Sequence, residues 1–264
     1  MHQQTFGPLT LWQFDHLATQ SHLRHFVSDR RGGMSHEHLG ALNLSFRVGD
    51  APAHVEANRA RVAEAMGVTP DRLFIPQQTH SAVVAVVDKE TRPEALAETD
   101  GLVTSTPGVC IAVLAADCVP IVLYDPVRHV AAAVHAGWRG TVGRILTNAL
   151  RTMQDHFGTH PAAVLAGIGP SISAEVYEVG PEVVEEVNAA LGEGFVRPHQ
   201  TVPEKGYVDL WNANRHQLLA LGVRPESIEV AGICTYQHHD QFFSARRSRN
   251  NTGRFSAGIV LQPR

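Results

Sequence analysis

The fold is decided by residues 109–140, whose sequence is VCIAVLAADCVPIVLYDPVRHVAAAVHAGWRG. It contains three short apolar runs, at residues 109–116, 121–124 and 130–134, separated by turn sequences that carry aspartate and proline. Short apolar runs bounded by turn residues are typical of buried β-strands with hairpin-length connections. The segment therefore predicts neighbouring strands of one sheet region in the middle of the chain.

The chain around this segment alternates between helical and strand patterns in an irregular order. Apolar residues at helical spacing between a capping residue and a glycine predict helices, and valine-rich runs predict strands. The predicted helices cover residues 50–67, 140–156, 181–192 and 209–222, and the further predicted strands cover residues 81–88, 163–168 and 228–234. The irregular order favours an α+β fold with a mixed sheet over a doubly wound parallel sheet.

Length and composition are those of a globular protein. The chain has 264 residues and a formal net charge of −4, and 44% of its residues are hydrophobic while 18% are charged. These values exclude a disordered or fibrous protein. Because no repeat, low-complexity tract or proline- and serine-rich linker divides the chain, we expect a single domain over residues 1–264.

The sequence also restricts the partners and the compartment. The longest apolar run has eight residues, far short of the roughly 20 that a membrane-spanning helix needs. The densest basic cluster, RRSR at residues 246–249, is typical of a solvated turn, so neither nucleic acid nor a membrane is expected as a partner. Residues 1–6 show no signal-peptide pattern, and three cysteines do not make a disulfide framework. We therefore expect a cytoplasmic monomer.

Three candidate metal ligands stand where an apolar strand begins or ends. His80 precedes the predicted strand over residues 81–88, Cys118 follows the first run of the central segment, and His135 follows the third. Two imidazoles and one thiolate with an open fourth position are typical of a catalytic zinc site. The three residues are 38 and 17 positions apart, so their spacing alone favours a buried cysteine and two ordinary histidines.

The other cysteines and the paired histidines have simpler interpretations. Cys110 lies inside an apolar run and Cys234 ends one, so both are expected to pack in the core. The pairs at residues 36–38 (HEH) and 238–239 (HH) could bind a metal, but such pairs are more often part of polar loops.

The segment HAGWRG at residues 135–140 has a second chemical feature. Its glycines allow backbone N–H groups to approach a ligand, and it leads into a predicted helix, whose first N–H groups attract anions. Arg139 can donate two parallel hydrogen bonds to a phosphate. The segment GIGPS at residues 167–171 predicts a second glycine-lined wall. Neither segment matches a Walker loop or a dinucleotide-binding motif.

A set of short motifs gives the chain its resemblance to a known family. The motifs include ADCxP at residues 116–120, HAGWRG at 135–140, GP at 169–170, RGGMS at 31–35, QTH at 78–80, TDG at 99–101 and TGR at 252–254. Together they resemble the YfiH-like laccase-domain proteins, also called the multicopper polyphenol oxidase family and, more recently, purine nucleoside phosphorylases. The resemblance covers about residues 25–260.

The resemblance implies a fold, a site and a set of activities. Family members form one α+β domain with a layered α/β/β/α arrangement and mixed sheets. The residues that match His80, Cys118 and His135 form a catalytic cluster that binds Zn²⁺ or Cu²⁺. The activities are the phosphorolysis of adenosine, inosine and methylthioadenosine to the base and a pentose 1-phosphate, and the deamination of adenosine. The expected enzyme is thus both a transferase and a hydrolase that takes a purine nucleoside and phosphate.

These activities suggest roles for further residues. The residues predicted to bind substrate are Asn43, Arg59, Gly137 and Arg139. Arg139 and the backbone N–H groups that begin at Gly137 are assigned to phosphate, and Arg59 is a second candidate cation. Asn43 is assigned to the ribose or the base. Asp117, next to the predicted thiolate ligand, is expected to orient that ligand or to act as an acid at the base.

Three alternatives remain open. A copper oxidase of phenols needs several His-x-His pairs, and the chain has one, at residues 36–38. A metal-free thiol hydrolase would use Cys118 activated by His135 or His80, and it would act on a cell-wall precursor or another amide. A chelator would spare this hydrolase and silence a zinc enzyme. A non-enzymatic zinc- or nucleotide-binding protein would bind its ligand without turnover.

Overall fold

A computed structural model describes residues 1–264 and contains fifteen β-strands and six α-helices. The strands are β1 (His2–Phe6), β2 (Leu9–Gln13), β3 (Leu23–Ser28), β4 (Leu73–Phe74), β5 (Val84–Val86), β6 (Gly101–Thr104), β7 (Cys110–Ala115), β8 (Val119–Asp125), β9 (Val130–Ala136), β10 (Leu165–Ile168), β11 (Glu178–Val179), β12 (Val196–Pro198), β13 (Gly206–Val208), β14 (Ile228–Val230) and β15 (Phe255–Leu261). The helices are α1 (Asp15–Ala18), α2 (Pro52–Met66), α3 (Trp138–Val142), α4 (Ile145–Phe157), α5 (Pro181–Leu191) and α6 (Leu210–Ala220). No helix is long and apolar enough to cross a membrane.

Two six-stranded sheets form the centre of the molecule. The first has the order β1-β2-β3-β15-β7-β4, and the second has the order β14-β10-β8-β9-β6-β5. Most neighbours are antiparallel, but β4 pairs with β7, β5 with β6, and β10 with β14 in parallel. A small sheet, β11-β13-β12, lies beside α5. The predicted α+β class with mixed sheets is therefore confirmed.

The side chains of the sheets alternate between separate cores. One face of β7, including Ile111 and Val113, packs with Val122 of β8 and Ile259 of β15 between the two sheets. The outer face of the first sheet packs against Met66 of α2 and its neighbours. The outer face of the second sheet packs against helices α3 to α6. The order of layers is thus helix, sheet, sheet, helix, as the resemblance implied.

The central segment folds as its sequence predicts, with one addition. Its three apolar runs are β7, β8 and β9, and β8 pairs with β9 as an antiparallel hairpin. However, β7 belongs to the first sheet and β8 to the second. The turn at Asp117 and Cys118 therefore carries the chain from one sheet to the other, and this turn lies at the site described below.

Three predicted elements need correction. The helix predicted over residues 140–156 is divided into α3 and α4, because Arg144 has a left-handed backbone with a φ of 58° and turns the chain between them. The strand predicted over residues 81–88 is shorter than expected and consists of β5 alone. The strand predicted over residues 228–234 is likewise reduced to β14. In both cases the strand has a sheet neighbour for three residues only.

Candidate active site

The structure brings together His80, Cys118 and His135. Their nearest ligand atoms all lie within 4.8 Å of one another, and the two imidazole rings are 5.0 Å apart at a steep angle. His80 lies in the loop before β5, Cys118 in the turn between the sheets, and His135 near the end of β9. This is the one group of three such side chains in the molecule that could hold a metal ion.

Asp100 fixes the positions of both histidines. Its carboxylate accepts hydrogen bonds from the backbone N–H groups of Thr79, His80 and Ser81 at 3.0, 3.0 and 2.7 Å. These bonds hold the loop where His80 has a left-handed backbone with a φ of 62°, a conformation that non-glycine residues rarely adopt. The same carboxylate lies 2.8 Å from Nδ1 of His135.

The bond to Asp100 decides which nitrogen of His135 faces the cluster. Burial would raise the pKa of Asp100, but the hydrogen bond and charge of His135 and the backbone donors outweigh it and hold the pKa well below its usual range. An ionised carboxylate only accepts hydrogen bonds, so Nδ1 of His135 must donate. Its Nε2 is then left for a ligand. Carboxylate–histidine pairs of this kind commonly orient metal ligands.

The thiol of Cys118 is set up to ionise. Burial alone would raise its pKa, but the charge of His135 and the hydrogen bonds from His135 and His80 outweigh burial and bring the pKa down to about 6. In the same pair, burial would lower the pKa of His135, whereas the charge of Cys118 and the bond to Asp100 raise it to about 9. A thiolate beside two imidazoles is both a metal ligand and a nucleophile.

Asp117 is held in place from two sides. One carboxylate oxygen accepts a hydrogen bond from the Thr235 hydroxyl and the other accepts one from the backbone N–H of Arg246, both at 2.6 Å. Its backbone has a φ of 90°, a strained conformation for a non-glycine residue. These contacts fit the positioning of the adjacent Cys118, the first of the two roles predicted for Asp117.

The cluster opens into a cavity of about 640 Å³, within the range of small-molecule sites. Cys118, His80 and His135 form part of its wall. Five arginines also line it: Arg47, Arg139, Arg246, Arg249 and Arg254. Since Asp117 is the only carboxylate among the lining residues, the cavity is suited to an anionic ligand.

The four residues predicted to bind substrate lie in different places. Arg139 is an exposed cavity residue whose guanidinium stacks over the Trp138 ring at 4.3 Å. Gly137 lies against the cluster, since a Cβ there would approach Sγ of Cys118 to 2.9 Å. Asn43 and Arg59 are outside the set of residues that line the cavity.

Asn43 and Arg59 instead connect the loops near the cavity. Asn43 is fully buried, and its Oδ1 accepts the backbone N–H groups of Ser45 and Arg254. Arg59 donates to the backbone oxygen of Leu44 and stacks over an exposed phenylalanine of the same loop. Contact of either residue with a substrate stays a prediction.

The other candidates from the sequence lie apart from the cluster. Cys110 and Cys234 are buried, as predicted. The histidine pairs at residues 36–38 and 238–239 contribute nothing to the metal-binding group. The predicted glycine wall at residues 167–171 is wrong, because Gly167 packs on the Phe14 ring and Gly169 on Pro120 rather than lining the cavity.

Sequence reasoning missed three residues of the site. Asp100 was part of a matching motif, but nothing in its neighbourhood along the chain indicates that it bonds His135, which is 35 positions away. Tyr177 lines the cavity below the guanidinium of Arg246, and burial raises the pKa of its phenol, which therefore stays neutral. Arg254 belongs to the TGR motif and also lines the cavity.

The donor set fits a transition-metal ion. Two imidazoles and a thiolate suit Zn²⁺ and also copper, and three protein ligands leave a position open for water or substrate. The orientation of His135 by Asp100 supports this, because Nδ1 is already committed as a donor and Nε2 is free to ligate. The residues present therefore fit a site for a transition-metal ion.

Fold and site together define a class of protein in which an open His–Cys–His group lies beside a basic cavity, at the turn that connects two layered mixed sheets. The chain belongs to the family described as multi-copper polyphenol oxidoreductase laccase, whose family model matches residues 24–262. The resemblance drawn from the sequence motifs is thereby confirmed.

Relatives and solved structures agree with this assignment. A purine nucleoside phosphorylase of Bacteroides thetaiotaomicron is 40% identical over 259 residues, which cover 94% of this chain and 95% of that protein. A protein named adenosine deaminase RL5, from an unknown prokaryotic organism, is 42% identical over 228 residues, covering 83% and 86%. The crystal structure of YlmD from Geobacillus stearothermophilus is 33% identical and superposes with a TM-score of 0.89, over 99% of this chain and 98% of that one.

Proposed function

We propose that this chain is a metal-dependent purine nucleoside phosphorylase that also deaminates adenosine. The observation that carries the proposal is the His80–Cys118–His135 cluster in the wall of an arginine-lined cavity of about 640 Å³. A cavity of this size can hold a nucleoside, and its positive charge suits phosphate. The names of the relatives, phosphorylase and deaminase, support the same pair of activities.

Phosphorolysis defines what the cavity must do. An oxygen of hydrogen phosphate forms a bond to C1′ of the ribose while the bond from C1′ to N9 of the base breaks. The electron pair of the broken bond leaves with the base, and the proton of the phosphate ends on the base. The products are the free purine and a pentose 1-phosphate. The site must therefore hold phosphate against the ribose and stabilise a departing base that carries negative charge.

The ion would be held by His80, Cys118 and His135, and zinc is our choice because the Cys–His₂ set with one open position is typical of catalytic zinc. When bound, such an ion supplies Lewis acidity and lowers the pKa of water, which deamination of adenosine to inosine and ammonia requires. Asp100 keeps His135 oriented and holds the loop of His80. Asp117 keeps the Cys118 turn in place.

The remaining residues act on the substrate. Arg139 and the backbone N–H groups that begin at Gly137 bind phosphate, and Tyr177 offers a neutral hydroxyl donor in the cavity wall. Asn43 and Arg59 support the loops from which substrate contacts are made. We propose adenosine, inosine and methylthioadenosine as substrates, and a single-domain monomer in the cytoplasm as the working form.

Product analysis tests this proposal. Purified, zinc-loaded protein is incubated with adenosine, with and without phosphate, and the products are separated by liquid chromatography with mass detection. Adenine and ribose 1-phosphate formed only with phosphate are expected, together with inosine in both samples. Parallel samples contain inosine or methylthioadenosine, and no turnover of any of the three nucleosides would contradict the proposal.

A second candidate function is a metal-free thiol hydrolase. The observation that favours it is the Cys118–His135 pair, in which a neighbouring imidazole lowers the pKa of the thiol to about 6. Its substrate would be an amide, such as one in a cell-wall precursor. Dialysis against a chelator separates the two candidates, because it would silence the zinc enzyme and leave a thiol hydrolase active.

A further inference from the structure

The arginines of the cavity have no acidic partners. None of Arg47, Arg139, Arg246, Arg249 and Arg254 forms a salt bridge with a carboxylate. The one carboxylate in the wall, that of Asp117, already accepts bonds from Thr235 and a backbone N–H group. Although the chain has a net charge of −4, five guanidinium groups without a carboxylate partner line one cavity. Such a concentration of donors is a binding site for an oxyanion.

Arg254 differs from the other four because it is partly buried while they are exposed. Its Nη1 donates to the backbone oxygens of Thr252 and Gly253, whereas its Nε and Nη2 have no acceptor in the chain. Burial lowers the pKa of Arg254, and the nearby negative charges of Cys118 and Asp117 oppose that shift. Partial desolvation of a guanidinium is unfavourable unless an anion compensates for it. An anionic ligand at Nε and Nη2 would provide that compensation.

The backbone of Arg254 is also held in a fixed position. Its N–H group donates to Oδ1 of Asn43, which is fully buried and bonds Asp50 through its side-chain nitrogen. Arg254 directly precedes β15, the strand that pairs with both β3 and β7 in the first sheet. A donor on such a support is preorganised, so less entropy is lost when it binds a ligand. By contrast, Arg139 is exposed and is held only by stacking on Trp138.

We propose that Arg254 is the anchor of an orthophosphate subsite, and that Asn43 is a positioning residue that holds it through its backbone. This inference rests on the proposed function, since orthophosphate is the reactant that attacks C1′ in phosphorolysis. It also gives Asn43 an indirect role in place of contact with the ribose or the base. The more exposed Arg47, Arg139, Arg246 and Arg249 complete the positive cavity.

The kinetic test replaces the charge and keeps most of the length of the side chain. In zinc-loaded Arg254→Met, the KM for phosphate in adenosine phosphorolysis is expected to rise by roughly 10- to 100-fold, the loss typical of a charge-assisted hydrogen-bond pair. Deamination consumes no phosphate, so the ratio of phosphorolysis to deamination is expected to fall by at least about tenfold at a fixed phosphate concentration well below the KM of the parent protein. Arg254→Lys, which keeps the charge, should recover part of the loss.

Arg151→Met is the matched control, because Arg151 is an exposed residue of α4 and does not line the cavity. It should leave both the KM for phosphate and the ratio of the two activities unchanged. A KM for phosphate that is equal in Arg254→Met and in the parent protein would overturn the proposal. Asn43→Ala should raise the KM for phosphate, but less than Arg254→Met does, and an unchanged KM in Asn43→Ala would remove the positioning role of Asn43.

Calorimetric titration tests the subsite without turnover. Sodium phosphate is titrated into the zinc-loaded protein and into the Arg254→Met variant, and adenosine 5′-monophosphate is titrated in a parallel series. We expect binding of orthophosphate that depends on Arg254. If only the nucleotide binds in an Arg254-dependent manner, the subsite holds a phosphate group of the substrate, and the proposal is wrong.

The titration also separates this proposal from the proposed function. Arg254-dependent binding of orthophosphate in a protein that does not split nucleosides would support the subsite and contradict the phosphorylase. Phosphorolysis with a phosphate KM that is independent of Arg254 would support the phosphorylase and contradict the subsite.

Discussion

Cys110 and Cys118 lie eight positions apart, the first at the start of the apolar strand β7 and the second in the turn that follows it, and the structure gives them opposite chemistry. Cys110 begins β7 in the core beneath α2, where burial raises the pKa of its thiol to about 12. Cys118 follows β7 in the turn between the sheets, where His135 and His80 outweigh burial and lower the pKa to about 6. Burial acts on both thiols, so the difference comes from the two imidazoles.

This comparison shows what the layered fold contributes to the site. At the Cys110 end the neighbours are apolar residues of β4, β15 and α2, whereas at the Cys118 end they are titratable residues from other parts of the chain. There the loop before β5 and the end of β9 supply the histidines, and Asp100 ties these two segments together. One short segment of the chain thus carries an unreactive cysteine in strand β7 and a reactive one in the turn after it.

The largest expected effect comes from removing the thiol at each end in turn. In Cys118→Ala we expect loss of bound metal and a fall of at least about 10³-fold in kcat/KM for both reactions, because a ligand of the catalytic ion is lost. In Cys110→Ala we expect unchanged metal content and activity and a loss of about 1 kcal/mol of folding stability from the small cavity. Metal analysis, steady-state kinetics and thermal unfolding of the two variants measure this. Phosphorolysis by Cys118→Ala at the rate of the parent protein would remove the cluster from the mechanism.

The rate of alkylation measures the difference in reactivity between the Cys118 and Cys110 thiols directly. In the metal-free protein, Cys118 should react with iodoacetamide about 100-fold or more faster than Cys110 at pH 7, since the thiolate is the reacting form. The rate at Cys118 should rise with pH through a midpoint near 6 and then stay level, because the thiol whose pKa is lowered to about 6 is already ionised above that pH. Peptide mass mapping distinguishes the cysteines. A midpoint at the ordinary thiol value of 9.0 would show that the imidazoles do not act on Cys118.

The fold could be predicted from local patterns because they determine strands and helices directly. The three apolar runs of the central segment became β7, β8 and β9, and the helix capped by glycine at residue 67 became α2. The break before α4 was missed although Gly143, the C-cap residue of α3, interrupts the helical pattern. The left-handed backbone of the next residue, Arg144, has no signal of its own, because arginine is not typical of that conformation.

The sequence predicted the three ligands of the cluster but not the residue that orients them. Ligand type and position at strand ends indicated His80, Cys118 and His135, and the resemblance to a family strengthened that choice. Asp100 was missed because its role depends on pairing between β6 and β9, which brings Gly101 opposite Val134. Long-range register of this kind is not present in the spacing of residues along the chain.

Asp100→Asn is expected to have the next largest effect. An amide at this position presents N–H groups to the backbone donors of Thr79 and Ser81, and it weakens the orientation of His135. Changes of this kind beside a ligand typically lower metal affinity or activity by about 10- to 100-fold. A competition titration with a chromophoric chelator measures the affinity.

Asp125→Asn is the matched control for this substitution. Asp125 is also a buried carboxylate that accepts two backbone N–H groups, those of Val127 and Arg128, but it lies at the far end of β8. Both groups donate to Oδ1 while Oδ2 has no partner, so the amide can keep both bonds, and we expect affinity for the metal to be unchanged. Equal metal affinity in Asp100→Asn and in the parent protein would show that the histidines need no such support.

The smallest effects are expected from alanine substitutions at two glycines, one near each cysteine. These substitutions separate an effect on metal affinity from an effect on stability. A methyl group at Gly137 would approach Sγ of Cys118 to 2.9 Å and Cδ2 of His80 to 3.2 Å, while its backbone φ of −70° suits alanine. Gly137→Ala should therefore fold normally and lower metal affinity by about tenfold or less, because the ligands are displaced.

Gly108, two residues before Cys110, presents the reverse case. Its φ is +78°, and a Cβ there would meet no atom within 4 Å. Gly108→Ala should therefore cost about 1 kcal/mol of stability through backbone strain and leave metal affinity unchanged. Thermal unfolding and chelator competition on both variants separate the two effects. If Gly137→Ala lowered stability but not metal affinity, the close contact between Gly137 and the cluster would have no role in placing the ligands, and the difference between the two ends of β7 would lie in charge alone.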